Sequence, residues 1–147
     1  METKIPPPIV TLIFIFLIAF SNRLVEPFSF GYQTPLGVLI IIVGLSILIS
    51  AARVFKQLET TINPMQPSQA SKLAIIGPFK YTRNPMYLGM SIMLMGFGLI
   101  FGAKLTICLV ALFVLYITFF QIMPEERAMQ EKFTDWKDYC SKVRRWL

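Results

Sequence analysis

The residues able to do chemistry are few, and they fall in two polar stretches, Arg53 to Tyr87 and Pro124 to Leu147. Two adjacent carboxylates, Glu125 and Glu126, follow directly on an apolar run. A carboxylate at the end of a membrane span is costly against lipid, so it either reaches back to water or meets a cation. One reading is therefore a snorkelling helix end; the other is a Glu that receives a cationic group from a ligand or from Arg83. The residues alone leave both open. The chain has no histidine, which removes the commonest general base and the commonest metal ligand. Its two cysteines, Cys108 in an apolar run and Cys140 in a charged tail, fit neither a zinc cluster nor a disulfide scaffold, so no metal is expected.

The first polar stretch holds Asn63-Pro64, Gln66-Pro67, Gly77-Pro78 and Asn84-Pro85. Prolines at that density interrupt helix, and each residue before a proline is pushed toward extended geometry. Disorder is one reading of such a link. Against it stand Leu73-Ala74-Ile75-Ile76, Phe79, Tyr81, Met86 and Tyr87, which a floppy loop would solvate poorly, so a folded cap over the helix ends fits better. The second stretch, from Pro124 to Phe133 and beyond, reads as an amphipathic helix with Met129, Phe133, Trp136 and Tyr139 along one side. Glu125 and Glu126 would then sit in its first turn, where the helix dipole favours anions. That helix can rest on headgroups while its first turn faces a pocket.

The elements that must position these groups are apolar helices. Of 147 residues, 55% are hydrophobic and only 15% charged, and the mean hydropathy is +0.63. Soluble domains carry about a quarter charged residues. The expected fold is an all-α membrane protein of one domain, residues 1–147, with four transmembrane helices at about 8–24, 36–52, 86–103 and 105–123. Ser21-Asn22-Arg23 offers no small-residue cleavage pattern, so the first segment reads as a span rather than a leader. Only Gly102, Ala103 and Lys104 separate the last two spans, which predicts a tight helical hairpin. Gly98 and Gly102 have a small-xxx-small spacing that lets a neighbouring helix come close.

Lys4, the link between spans two and three, and the tail together hold all the Lys and Arg except Arg23 and Lys104. With four spans, the positive-inside rule places both termini and the long link in the cytoplasm. The net charge of +6 is then a property of the cytoplasmic face, suited to anionic headgroups. A nucleic-acid partner is not expected. A four-span exporter would need an ionisable residue inside a span, and the span interiors lack Asp, Glu, Lys and Arg. A non-enzymatic scaffold is the remaining alternative.

The ordered run Ser71-Lys72-Leu73-Ala74-Ile75-Ile76-Gly77-Pro78-Phe79-Lys80-Tyr81-Thr82-Arg83-Asn84-Pro85-Met86-Tyr87-Leu88-Gly89, then a hairpin, then Glu125-Glu126, resembles the integral-membrane methyltransferases. That superfamily includes the isoprenylcysteine carboxyl methyltransferases and the phospholipid N-methyltransferases. Val143-Arg144-Arg145-Trp146-Leu147 also resembles the family's tail. The likeness covers residues from about 60 to the end.

The resemblance implies methyl transfer from S-adenosylmethionine, releasing S-adenosylhomocysteine, to an amphiphilic or lipid-like acceptor drawn from the bilayer. It sets the donor site in segments 60–87 and 121–147, at the cytoplasmic face. Carried over position by position, it places Ser71, Lys72, Leu73, Ala74, Phe79, Asn84, Pro85, Met86, Tyr87 and Glu125 against the donor. Arg83, Tyr87 and Glu126 become positioning residues. Gln121, one turn before Glu125, falls where the carboxyl-methylating branch has arginine and becomes the acceptor-contacting residue. Asn84 stands where that branch has histidine and the phospholipid branch asparagine, and Thr134 replaces the usual glycine after Phe133. The resemblance is nearest to isoprenylcysteine carboxyl methyltransferase, with a phospholipid or small-molecule N- or S-methyltransferase as the alternative. A missing histidine suits this chemistry, because the donor brings its own electrophile and catalysis rests on alignment and water exclusion.

Overall fold

A computed structural model describes residues 5–59 and 72–147. Ser71, Asn63-Pro64 and Gln66-Pro67, to which the sequence assigns roles in the cap, lie outside the described residues. The described residues are all helix, turn and loop, with no strand among them. The helices are α1 (Pro7–Ser21), α2 (Gln33–Gln57), α3 (Pro85–Phe101), α4 (Thr106–Ile117), α5 (Met123–Lys132) and α6 (Trp136–Lys142). A 3₁₀ turn, Gly77–Lys80, precedes α3, and a π turn, Thr118–Ile122, joins α4 to α5.

Among the described residues, two helices are long and apolar enough to cross a membrane: α2, and the continuous run Thr106–Lys132 through the π turn. Helices α1 and α3 are apolar but have 15 and 17 residues. At 1.5 Å per residue these span about 22 and 25 Å, short of a hydrocarbon core of roughly 30 Å. The first expected span, 8–24, is thus cut back at Ser21, where the chain turns through Asn22 to Val25. Outward-facing Leu12, Phe16, Phe20, Leu39, Ile42, Ile107 and Leu115 give the helices apolar outer faces. Water would not support a continuous apolar surface of that kind, and lipid does.

Helices α2 and α3 pack most intimately, through two facing glycine pairs. A Cβ on Gly44 would lie 2.6 Å from the Gly89 carbonyl oxygen, and one on Gly37 2.8 Å from that of Gly96. No side chain separates the backbones at those points, so the small-residue contact forms one heptad apart on each helix. Gly98 is also a packing glycine, closed in by Thr106 at the start of α4. Gly102 ends α3 in a left-handed conformation (φ 65°), makes the hairpin turn, and lets the α1–α2 link come close, since a Cβ there would clash with Phe28 O. Its carbonyl accepts the Phe28 N–H at 2.9 Å, while the Asn22 amide donates to Phe101 O at 2.8 Å. The α1–α2 link therefore satisfies carbonyls that a helix C-terminus leaves open.

The main core lies between α1, α3 and α4, around Ile18, Leu94, Phe113, Ile117 and Ile122. Phe14 meets Phe113 edge-on, with centroids 5.4 Å apart. The tail departs from the single amphipathic helix expected. Helix α5 stops at Lys132, Phe133 is extended (φ −113°, ψ 119°), and α6 begins at Trp136. The break lets Met129, Phe133, Trp136, Tyr139 and Val143 gather with Leu73 of the connector in one small core, which a straight helix would string out in a line.

Candidate active site

The connector and the acidic turn meet. Gly77–Lys80 drives Phe79 into a pocket formed by Ala51 and Val54 of α2, where its ring meets Phe55 edge-on at 5.2 Å. Ala74 and Met86 join the same cluster. That anchorage sets the next turn, Thr82 to Asn84, with Thr82 and Asn84 buried, and Pro85 then opens α3. Proline suits a first helical turn because its missing N–H would have no partner there. Tyr87, in that first turn and 6% exposed, points at α5. Its hydroxyl donates to Glu125 Oε1 at 2.5 Å.

Glu126 turns to the other side and meets two arginines. Its Oε1 lies 2.9 Å from Arg83 Nη2, and its Oε2 lies 2.6 Å from Arg145 Nη2. Arg145 Nε is also 3.2 Å from each oxygen, completing a fork. Charge-assisted forks of this kind are the stronger class of hydrogen bond. The bond to Glu126 raises the Arg145 pKa, against a smaller opposing effect of burial. The Arg83 guanidinium carbon lies 5.9 Å from the centre of the Trp136 ring, within cation–π range, and its Nε is buried without a hydrogen-bond partner.

The chain end closes over this turn. The Arg83 N–H donates to Arg144 O at 3.0 Å. The Thr82 hydroxyl and the Asn84 amide donate to Arg145 O at 3.2 and 2.9 Å. Trp146 Nε1 donates to Thr118 Oγ1 of the π turn at 3.2 Å. Tyr139 donates its hydroxyl proton to Phe79 O at 2.7 Å, and burial pushes its pKa well up, with Arg83 pulling the other way. Burial likewise pushes the Cys140 thiol up, again opposed chiefly by Arg83. A cleft of about 260 Å³ opens beside the arginine–Glu126 cluster, lined by Met123, Arg127, Gln130, Trp136 and Cys140 among others.

Of the expected site residues, the structure joins Tyr87 to Glu125 and Arg83 to Glu126, packs Ala74, Phe79 and Met86 in one apolar cluster on α2, and sets Leu73 in the core of the tail. Lys72 is exposed at the start of the described connector. Gln121 stands apart: it is 1% exposed in the π turn, and its amide donates to Ile5 O at 2.7 Å. Its side-chain oxygen is buried without a partner. The Asn84 amide, expected against the donor, holds the tail carbonyl. Arg145 and the π turn were missed. Arg145 is hinted at only by its place in the tail that resembles the family's, with no role attached to it there; π turns, which recur at functional sites, have no sequence signature here.

A carboxylate held by a buried tyrosine and a second one held by two arginines thus meet where α3 begins and α5 begins. The sequence profile of the phospholipid methyltransferase family matches residues 32–135, most of the chain, and the protein belongs to that family. A Haemophilus influenzae protein, described only as uncharacterized, is 41% identical over 63 residues. That alignment covers 42% of this chain and 100% of the Haemophilus protein. No solved structure matches significantly.

Proposed function

We propose that the protein transfers a methyl group from S-adenosylmethionine to a membrane-associated amphiphile, within a single domain of residues 1–147. The observation that carries this reading is the bond between Tyr87 and Glu125. It joins the connector's turn to the acidic turn after the hairpin, two stretches the family resemblance assigns to one donor site. The residues present fit such a donor. It carries a cationic sulfonium, ribose hydroxyls and an amino-acid end; the site has a carboxyl group at Glu125 for the cation and, lining the neighbouring cleft, the part-exposed Arg145 guanidinium for the carboxylate of the amino-acid end.

When bound, the donor supplies an activated methyl, so the chain needs no metal or histidine to make an electrophile. Leu73, Ala74, Phe79, Asn84, Pro85, Met86, Tyr87 and Glu125, with Lys72 and Ser71 before them, are the donor-contacting set. Glu126 is committed to its ion pairs with Arg83 and Arg145. Glu125, held by a neutral hydroxyl, is the carboxyl able to take a proton from an amine before it attacks. The apolar packing of Tyr87, Met90 and Leu94 below it keeps water from the site's inner side.

For the acceptor, the family match favours an amine-bearing phospholipid over the carboxyl-bearing prenylcysteine expected first. The topology proposed is four membrane-crossing segments with both termini and the site on the cytoplasmic face. In that arrangement the donor comes from the cytosol and the acceptor from the bilayer. Calorimetry with S-adenosylhomocysteine tests the placement. Glu125→Ala and Tyr87→Ala should each weaken binding at least tenfold; normal affinity in both would overturn it.

A further inference from the structure

Arg145 lies outside the residues that the family profile matches. Its backbone and side chain hold different parts of the site. The carbonyl docks the tail on Thr82 and Asn84. The guanidinium grips Glu126 through both Nε and Nη2. Arg83, which reaches Glu126 from the other side, belongs to the same turn as Thr82 and Asn84. Glu126 is adjacent in the chain to Glu125, whose partner Tyr87 lies in the first turn of α3. A loop of contacts thus closes from the α3 turn, through the tail and Glu126, to Glu125 and back to α3. Trp146 fastens the far end of the tail to Thr118.

One ion pair leaves a carboxylate free to swing about its contact; a planar fork on the second oxygen fixes its plane. We propose that Arg145 is a positioning residue of the site: acting through Glu126, it fixes the first turn of α5 so that Glu125 meets Tyr87. The proposal rests on the reading that the Tyr87–Glu125 pair lies at the donor site. Loss of the Arg145 side chain leaves Arg83 and Glu126 as a neutral pair, and the tail carbonyl keeps both its donors. The site loosens while the chain stays folded.

The test compares wild type, Arg145→Ala, Arg145→Lys, Glu126→Gln and the Arg145→Ala/Glu126→Gln double variant in micelles. One arm measures S-adenosylhomocysteine affinity by calorimetry. The other measures nitration of Tyr87 by tetranitromethane, read by mass spectrometry, which needs no donor. Arg145→Ala should weaken binding at least tenfold and raise Tyr87 nitration several-fold. Arg145→Lys, which keeps the charge but lacks the fork, should fall between, and the double variant should be no worse than Glu126→Gln alone. Wild-type nitration in Arg145→Ala, or losses that add in the double variant, would overturn the proposal. If Arg145→Ala fails to fold, Arg145→Lys and Glu126→Gln carry the same comparison. Failure of wild type to bind S-adenosylhomocysteine would instead sink the donor-site reading, and the nitration arm would still decide the role of Arg145.

Discussion

Replacing Tyr87 by Phe removes one hydroxyl and leaves the ring in place among Met90, Leu94 and their neighbours. The hydroxyl has one hydrogen-bond acceptor in the site, Glu125 Oε1 at 2.5 Å, and the tyrosine is 6% exposed. Removing one partner from a buried hydrogen bond costs about 1–3 kcal/mol, because the group left behind is desolvated and unpaired. Tyr87→Phe should therefore reduce the folded-to-unfolded ratio roughly 5- to 150-fold at about 1.4 kcal/mol per tenfold. Reversible unfolding in mixed micelles, followed through the fluorescence of Trp136 and Trp146, measures it. A cycle with Glu125→Ala should return a coupling energy of at least about 1 kcal/mol, as expected for residues in direct contact. A loss below about 0.5 kcal/mol in Tyr87→Phe, with additive effects in the cycle, would refute the view that this bond ties the two stretches together.

Two further outcomes follow from the packing and the electrostatics. Gly44→Ala sets a methyl 2.6 Å from the Gly89 carbonyl oxygen, backbone against side chain with no flexible end to yield. It should cost about 1–3 kcal/mol by overpacking, seen as a lowered Tm; an unchanged Tm would contradict the close α2–α3 approach. Burial raises the Cys140 thiol pKa, and only the thiolate is nucleophilic, so iodoacetamide near pH 8 should alkylate Cys140 more slowly in the folded protein than in the unfolded chain. The folded rate should climb as pH rises further; equal rates in both states would count against the partly buried, desolvated setting of the thiol.

Much of this arrangement is legible in the order of residues. Apolar run lengths mark the helices, and Gly102 with Lys104 marks the hairpin. The cost of an unpaired carboxylate at a membrane edge raises Arg83 as a partner for the acidic helix start but leaves the snorkelling reading open; the structure decides for partners. Neither carboxylate simply snorkels: one meets Tyr87 and the other two arginines. The helix ends were less legible. Spans one and three end earlier than their apolar composition suggests, because Asn22 and Gly102 turn the chain while hydrophobic residues continue beyond.

The site's closure was illegible for a physical reason. Asn84 meets Arg145 across 61 residues and Gln121 meets Ile5 across 116. Periodicity and capping report only on neighbours within a turn or two, and nothing local distinguishes Arg145 from Arg144. The facing glycines show the same limit. Gly98 and Gly102 carry the recognisable spacing, yet the backbones touch at Gly37, Gly44, Gly89 and Gly96, whose seven-residue separation matters only once two antiparallel helices are set side by side. The kink in the tail is similar. Phe133 leaves the helix because Trp136 and Tyr139 find Leu73 and Phe79, and those partners belong to a segment some sixty positions earlier.

The central claim is that the connector before α3 and the first turn of α5 together form one binding site for a methyl donor at the membrane face. Photo-crosslinking of purified protein with methyl-labelled S-adenosylmethionine, followed by peptide mapping, tests it most directly. Label should appear in peptides from 72–87 and from 121–132, and an excess of S-adenosylhomocysteine should abolish it in both. Label confined to α1 or α2, or label that competitor leaves untouched, would contradict the account.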